Sequence, residues 1–134
     1  MNLMKEVVNT TQEFDQVAIN KLISEELESV MPSSKCSSSL YVSLSHKHEE
    51  REIRTKVNIS VQFIIDNIDF NNEYNFGDSF VIENNMSEIY VRSVVKKMLS
   101  SFVQSFKDCV KADVEDLQKF LDKINADVSV KGGI

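Results

Sequence analysis

The sequence from Asn85 to Asn125 reads NMSEIYVRSVVKKMLSSFVQSFKDCVKADVEDLQKFLDKIN, and no glycine or proline interrupts the chain from there until Gly132. Met86, Ile89, Tyr90, Val91, Val94, Val95, Met98, Leu99, Phe102, Val103 and Phe106 recur at steps of three and four. That is the spacing of one face of an α-helix. Asn85 and Glu88, three residues apart, form a candidate capping pair at its start. A continuous helix over this stretch would be roughly 60 Å long at about 1.5 Å per residue. A compact chain of this length is only about 30 Å across. The helix must therefore break, extend from the body, or pack on another copy of the chain.

Two apolar seams run along it. Val95, Leu99, Phe102, Phe106 and Cys109 step by four and three, and so do Val110, Val114, Leu117, Leu121, Ile124 and Val128. Each is a heptad pattern, and the phase slips by one residue between them. Asp113, beside the slip, is a candidate cap for a new helix. One helix, or two over about 86–111 and 113–125, both fit. The narrow second stripe, flanked by Glu115, Asp116, Lys119, Asp122 and Lys123, suits a partner helix. Val95, Leu99, Phe102, Phe106, Val110, Val114, Leu117, Leu121 and Ile124 are the candidate oligomer interface.

Upstream, residues 1–31 read as helical. Phe14, Val17, Ala18, Leu22, Ile23, Leu27 and Val30 form the stripe, and Thr10 with Glu13 matches a capping box, which puts a start near Thr11. Pro32 and Ser33, Ser34, Ser37, Ser38 and Ser39 end this helix in a linker. From Leu40 the period becomes two. Leu40, Val42 and Leu44 alternate with Tyr41, Ser43 and Ser45, and His46 to Glu50 reads as a turn. Ile53, Val57, Ile59, Val61, Phe63 and Ile65 then share one face of a longer strand, with Arg54, Lys56, Asn58, Ser60 and Gln62 on the other. That is an antiparallel sheet with one wet side. Asp66 to Gly77 reads mainly as a loop, and Phe80 and Ile82 mark a third strand. The expected fold is α+β: an N-terminal helix, a small antiparallel sheet of about three strands, and a long C-terminal helix or helix pair packed on the sheet. All 134 residues form a single domain in this reading, helical over 1–31, sheet over 40–83, helical over 85–125, with a tail over 126–134.

Composition narrows the function. The formal charge of −6 argues against nucleic acid as a partner. No run of about 18 apolar residues is present to span a membrane. Cys36 and Cys109 are far apart in unlike contexts, so a reducing cytoplasm is the expected setting. Three glycines build neither a phosphate loop nor a dinucleotide fingerprint. No nucleophile elbow and no distinct carboxylate pair stands out, so the reading is non-enzymatic and without a cofactor. His46 and His48 could share one side of a strand end as a weak metal pair. Arg51, Arg54 and Lys56 form a mildly basic stripe, and Phe70, Tyr74 and Phe76 are aromatic anchors if exposed. These six are the candidate partner-binding residues.

The order of antiparallel strands followed by a long helix, with an acidic pI, loosely resembles SecB-type export chaperones in pattern over Leu40 to Phe106. No motif accompanies it, and the helical amino terminus departs from it, so no residue roles carry over. The Asn-, Ile-, Lys- and Ser-rich composition looks like that of products of AT-rich bacteria or their phages. The expected function is an oligomeric module that binds another protein, such as a small phage accessory or inhibitor protein or a chaperone-like adaptor. A structural component of a phage particle is the alternative, and a small-molecule or metal-binding domain with a site at a subunit interface is the third.

Overall fold

A computed structural model describes residues 3–7, 11–32, 36–49, 52–66, 71–83 and 86–132. The elements are β1 (Met4–Val7), β2 (Thr11–Phe14), α1 (Gln16–Val30), β3 (Cys36–Glu49), β4 (Glu52–Asp66), β5 (Asn71–Glu83) and α2 (Glu88–Gly132). The fold is α+β, with a three-stranded antiparallel sheet in the order β3-β4-β5 and a long C-terminal helix. The chain forms two compact units, Met1–Val103 and Gln104–Ile134.

Residues 4–7 and 11–14 depart from the helical reading. β1 and β2 pair antiparallel from Met4↔Phe14 to Val7↔Thr11. Leu3 and Phe14 are buried, and the Asp15 amide donates to the Leu3 carbonyl. The operative helix start is Asp15, whose carboxylate accepts from the Val17 amide at 3.0 Å. An aspartate N-cap holds a donor that the helix cannot satisfy itself. Glu13, half of the expected capping box, lies in β2, and Thr10 lies outside the described residues. Along α1 the buried side chains are Ile19, Leu22, Ile23 and Leu27, whereas Val17 is 74% exposed. Met31 takes an extended ψ of 132° before Pro32, where a following proline disfavours helix.

The sheet is longer than its apolar alternation suggests. Ser37, Ser38 and Ser39 belong to β3 rather than to a linker, paired with Ile64, Phe63 and Gln62. His46 to Glu49 also continue β3 instead of turning. Residues 71–77 are strand rather than loop, because β5 pairs with β4 from Asn71↔Asp66 to Glu83↔Arg54. Backbone pairing to the well-formed β4 outweighs the weak strand preference of Ser, Asn and Asp. Ser33, Ser34, Glu50 and Asn85 lie outside the described residues.

Ile53, Val57, Ile59, Val61 and Phe63 on the inner face of β4 are at most 7% exposed, as are Val91, Val95, Leu99, Phe102 and Val103 of α2. Burying such side chains contributes about 1.5–3 kcal/mol each. Phe76 joins sheet to helix, 6.0 Å from the Phe63 ring and 6.1 Å from Phe102, stacked on the latter at 21°. Thr55 is the one polar residue fully buried among those described, and its hydroxyl is hydrogen-bonded to His46 Nδ1 at 2.8 Å. The edge strands also have backbone groups met by side chains. On β3, the Val42 carbonyl accepts from Gln16 Nε2 at 3.2 Å. On β5, the Glu73 and Ser79 amides donate to Asn72 Oδ1 and Asp78 Oδ1 at 2.9 and 2.8 Å.

α2 is one helix of 45 residues. It has no break near Asp113, and it continues through the expected tail to Gly132. The apparent phase slip has a simple cause. From Leu99 to Ile124 the apolar positions advance 25 residues in seven steps, a mean of about 3.6 and the natural pitch of a straight helix. A strict heptad would drift off that face, and the slip restores it. Ser87 supports the start, its hydroxyl accepting from the Tyr90 amide at 3.2 Å.

Candidate functional site

The outward face of the sheet is set by register. Ser39, Gln62 and Asn75 lie abreast, followed by Tyr41, Ser60 and Gly77, and then by Ser43, Asn58 and Ser79. The next rows are Ser45, Lys56 and Val81, then Lys47, Arg54 and Glu83. Tyr41 is 69% exposed at the middle of this face. An open depression of about 370 Å³ is lined by Ser39, Tyr41, Ser60, Gln62, Asn75 and Gly77, among others. A second of about 620 Å³ adjoins it through Asn75 and includes Asp66 and Glu73. Gln62 Nε2 donates to Glu73 Oε2 at 3.0 Å between the two.

The basic stripe is partly neutralised. Arg54 reaches Glu83, its cross-strand partner, at 3.5 Å, with both side chains about half exposed. Lys56 is exposed opposite Ser45 and Val81, and Arg51 lies outside the described residues. Tyr74 and Phe76, the described members of the aromatic trio, do not form an exposed cluster. Tyr74 is 9% exposed with its hydroxyl hydrogen-bonded by the Asn72 side-chain amide, and Phe76, half-buried, stacks on Phe102. Phe70 lies outside the described residues.

His46 and His48 do alternate on one side of β3, and His46 spends Nδ1 on Thr55. Among the described residues no three His, Cys, Asp or Glu side chains converge as a metal site requires. Burial pushes the Cys36 thiol up, which disfavours its thiolate. Cys109, which its spacing puts on the first apolar seam, is exposed.

The proposed helix seam divides into two groups. Val95, Leu99, Phe102 and Phe106 are buried, and Val110 is half-buried. Val114, Leu117, Leu121 and Ile124 are exposed, joined by Phe120, which the heptad reading left out. Charges of both signs flank them: Glu115, Asp116, Lys119, Asp122 and Lys123, all exposed.

A charge cluster of a different kind ties α1 to the start of α2. Arg92 donates to Glu25 Oε2 at 2.9 Å, to Glu26 Oε1 at 3.2 Å and to Glu88 Oε1 at 3.0 Å. The hydrogen bond from Arg92 holds the Glu88 carboxyl below its usual range. Its sequence signal was the Glu25–Glu26 pair on the flank of α1, but the cation that meets it is 66 residues away from Glu26. Among the described residues no helix is long and apolar enough to cross a membrane. No protein-family model, curated protein or solved structure matches the chain.

Proposed function

We propose that the protein is a non-enzymatic, self-associating module that binds another protein, with the second part of α2 as its assembly element. The supporting observation is the exposed stripe of Val114, Leu117, Phe120, Leu121 and Ile124, each 41–63% exposed. Five large apolar side chains at helical spacing within eleven residues exceed the scatter of single hydrophobes that any surface carries. A like stripe on a second copy supplies matching shape and period. The mixed signs of the flanking charges permit close approach without a block of like charge.

The test is solution mass by light scattering coupled to size exclusion, across a dilution series, for the native chain and for Leu117→Asp/Leu121→Asp. A dimer or larger species that dissociates on dilution, and a monomer of 15.3 kDa for the double variant, is the expected result. A native chain that stays at the monomer mass at every concentration overturns the assembly reading. A ring or open-ended series in place of a single small oligomer would move the function from adaptor to particle component.

A further inference from the structure

We propose that the outward face of the β3-β4-β5 sheet, centred on Tyr41, Ser60 and Gly77, is a binding platform for a neutral oligosaccharide. This does not depend on the assembly of α2. The nine positions in the three rows abreast of Ser39, Tyr41 and Ser43 carry no charged residue and no aliphatic one. An ordinary protein surface is roughly 25–35% charged, and 27% of this chain is charged. Two or three charges would be the ordinary complement of nine such sites.

The platform also gives up strand preference. Exposed strand positions normally take Thr, Val, Ile or aromatic residues, and Ser, Asn and Gly fit a pleated surface less well. Here Ser, Asn, Gln and Gly fill eight of the nine positions. Gly77 is the plainest case. A Cβ there would stand 3.4 Å from Ser60 Oγ and 3.5 Å from the Ile59 carbonyl, which is ordinary contact, and no positive φ demands glycine. Neither space nor backbone conformation explains the residue. β5 pairs with β4 in unbroken register through Gly77, so no bulge calls for it either, and close approach of a ligand to the backbone is among the remaining uses of a strand glycine. Local rules broken without a gain in stability collect at functional sites.

The ligand class follows from the chemistry of the face. Tyr41, 69% exposed and across Ser60 from the notch at Gly77, offers an aromatic ring for the C–H face of a pyranose. Ser39, Ser60, Gln62, Asn58 and Asn75 offer donors and acceptors, without net charge, to the hydroxyls around that ring. Three rows on three strands span about 14 Å along the strands and about 10 Å across them, room for more than one sugar ring. The adjoining depression at Asn75 prolongs the surface toward Asp66 and Glu73. Carboxylates serve a sugar hydroxyl as acceptors but repel a phosphodiester backbone, which separates a neutral glycan from single-stranded nucleic acid.

The experiment is an amide-resolved NMR titration of the full chain with maltohexaose, cellohexaose, xylohexaose and chitohexaose in turn, up to about 10 mM, the range of weak single-site binding. The expected result is saturable shifts for at least one glycan at residues 39–43, 58–62 and 75–79. Tyr41→Ala, at an exposed position, should weaken that binding at least tenfold. Gly77→Val should do the same by filling the notch, while Lys56→Ala leaves the affinity unchanged. Spectral dispersion equal to that of the native chain establishes that each variant folds. Absence of saturable shifts with all four glycans overturns the proposal, as does binding that survives Tyr41→Ala. Tighter binding of a thymidine hexanucleotide to the same rows would also overturn it, in favour of a nucleic-acid surface.

Discussion

The two parts of α2 have the same kinds of side chain at the same spacing and opposite environments. In the first unit, Val91, Val95, Leu99, Phe102 and Val103 are 0–7% exposed; in the second, Val114, Leu117, Phe120, Leu121 and Ile124 are 41–63% exposed. Helical period decides which side chains share a face. It does not decide what covers them. The covered set has its transfer free energy realised within the unit that contains it. The uncovered set keeps that contribution available for another surface, and this difference makes the second part of α2 the place to look for a partner.

The largest test of this contrast is a matched pair of truncations read by urea unfolding at high dilution. Leu99→Ala is expected to lose about 2–5 kcal/mol, the usual range for a buried leucine. Leu117→Ala should stay within about 0.5 kcal/mol of the native chain, as an exposed substitution does. Equal losses would erase the distinction between the two regions.

Arg92 sharpens the same contrast with a smaller effect, because it anchors only the covered part of the helix. Arg92→Met leaves Glu25, Glu26 and Glu88 without their shared cation and should lower the Tm by a few degrees. It should also change the acid limb of stability. Glu88 has its folded pKa below the ordinary value, chiefly through the Arg92 hydrogen bond. Its contribution is therefore complete above the unfolded carboxylate value of about 4.3, and is lost as pH falls through the depressed folded value. Urea midpoints across acidic pH should fall more steeply for the native chain than for Arg92→Met. Parallel curves would remove Glu88 from the account.

The smallest effect belongs to the uncovered face of the sheet. Gly77→Ala meets no close contact. It should raise stability by about 0.4–1 kcal/mol by restricting the unfolded chain, measured by the same unfolding series. A loss of stability would mean that the position needs glycine for the fold itself.

Much of the architecture was legible because period carries it. The alternation from Ile53 to Ile65 identified β4 and its wet side, and the three- and four-residue steps from Met86 identified α2. What escaped was decided by pairing at a distance. Residues 71–77 read as loop because Asn, Glu and Gly, all of weak strand preference, outnumber the aromatics there, yet they pair with Ser60 to Asp66 of β4. Ser37 to Ser39 read as linker for the same reason. At the amino terminus, Thr10 and Glu13 imitate a cap, while the carboxylate that caps α1 is Asp15. The surfaces were harder still. Tyr41 alternates with apolar residues in the sequence, and only register puts it in one row with Ser60 and Gly77. Tyr74 and Phe76 were aromatic anchors only on the condition of exposure, and the contacts that turn them inward, to Asn72 and to Phe102, carry no local sequence signal.

The side chains that meet the edge strands bear on how this protein behaves at high concentration. Strand-templated fibril growth requires an incoming chain to find a run of free backbone donors and acceptors along an edge. Two amides of β5 are already held by Asn72 and Asp78, and a carbonyl of β3 by Gln16. A strand added at β5 would have to displace the two amide bonds there, and one added at β3 the Gln16 bond, before its own ladder formed. Each edge therefore offers an incoming strand fewer free backbone groups than its length implies, which works against fibril growth.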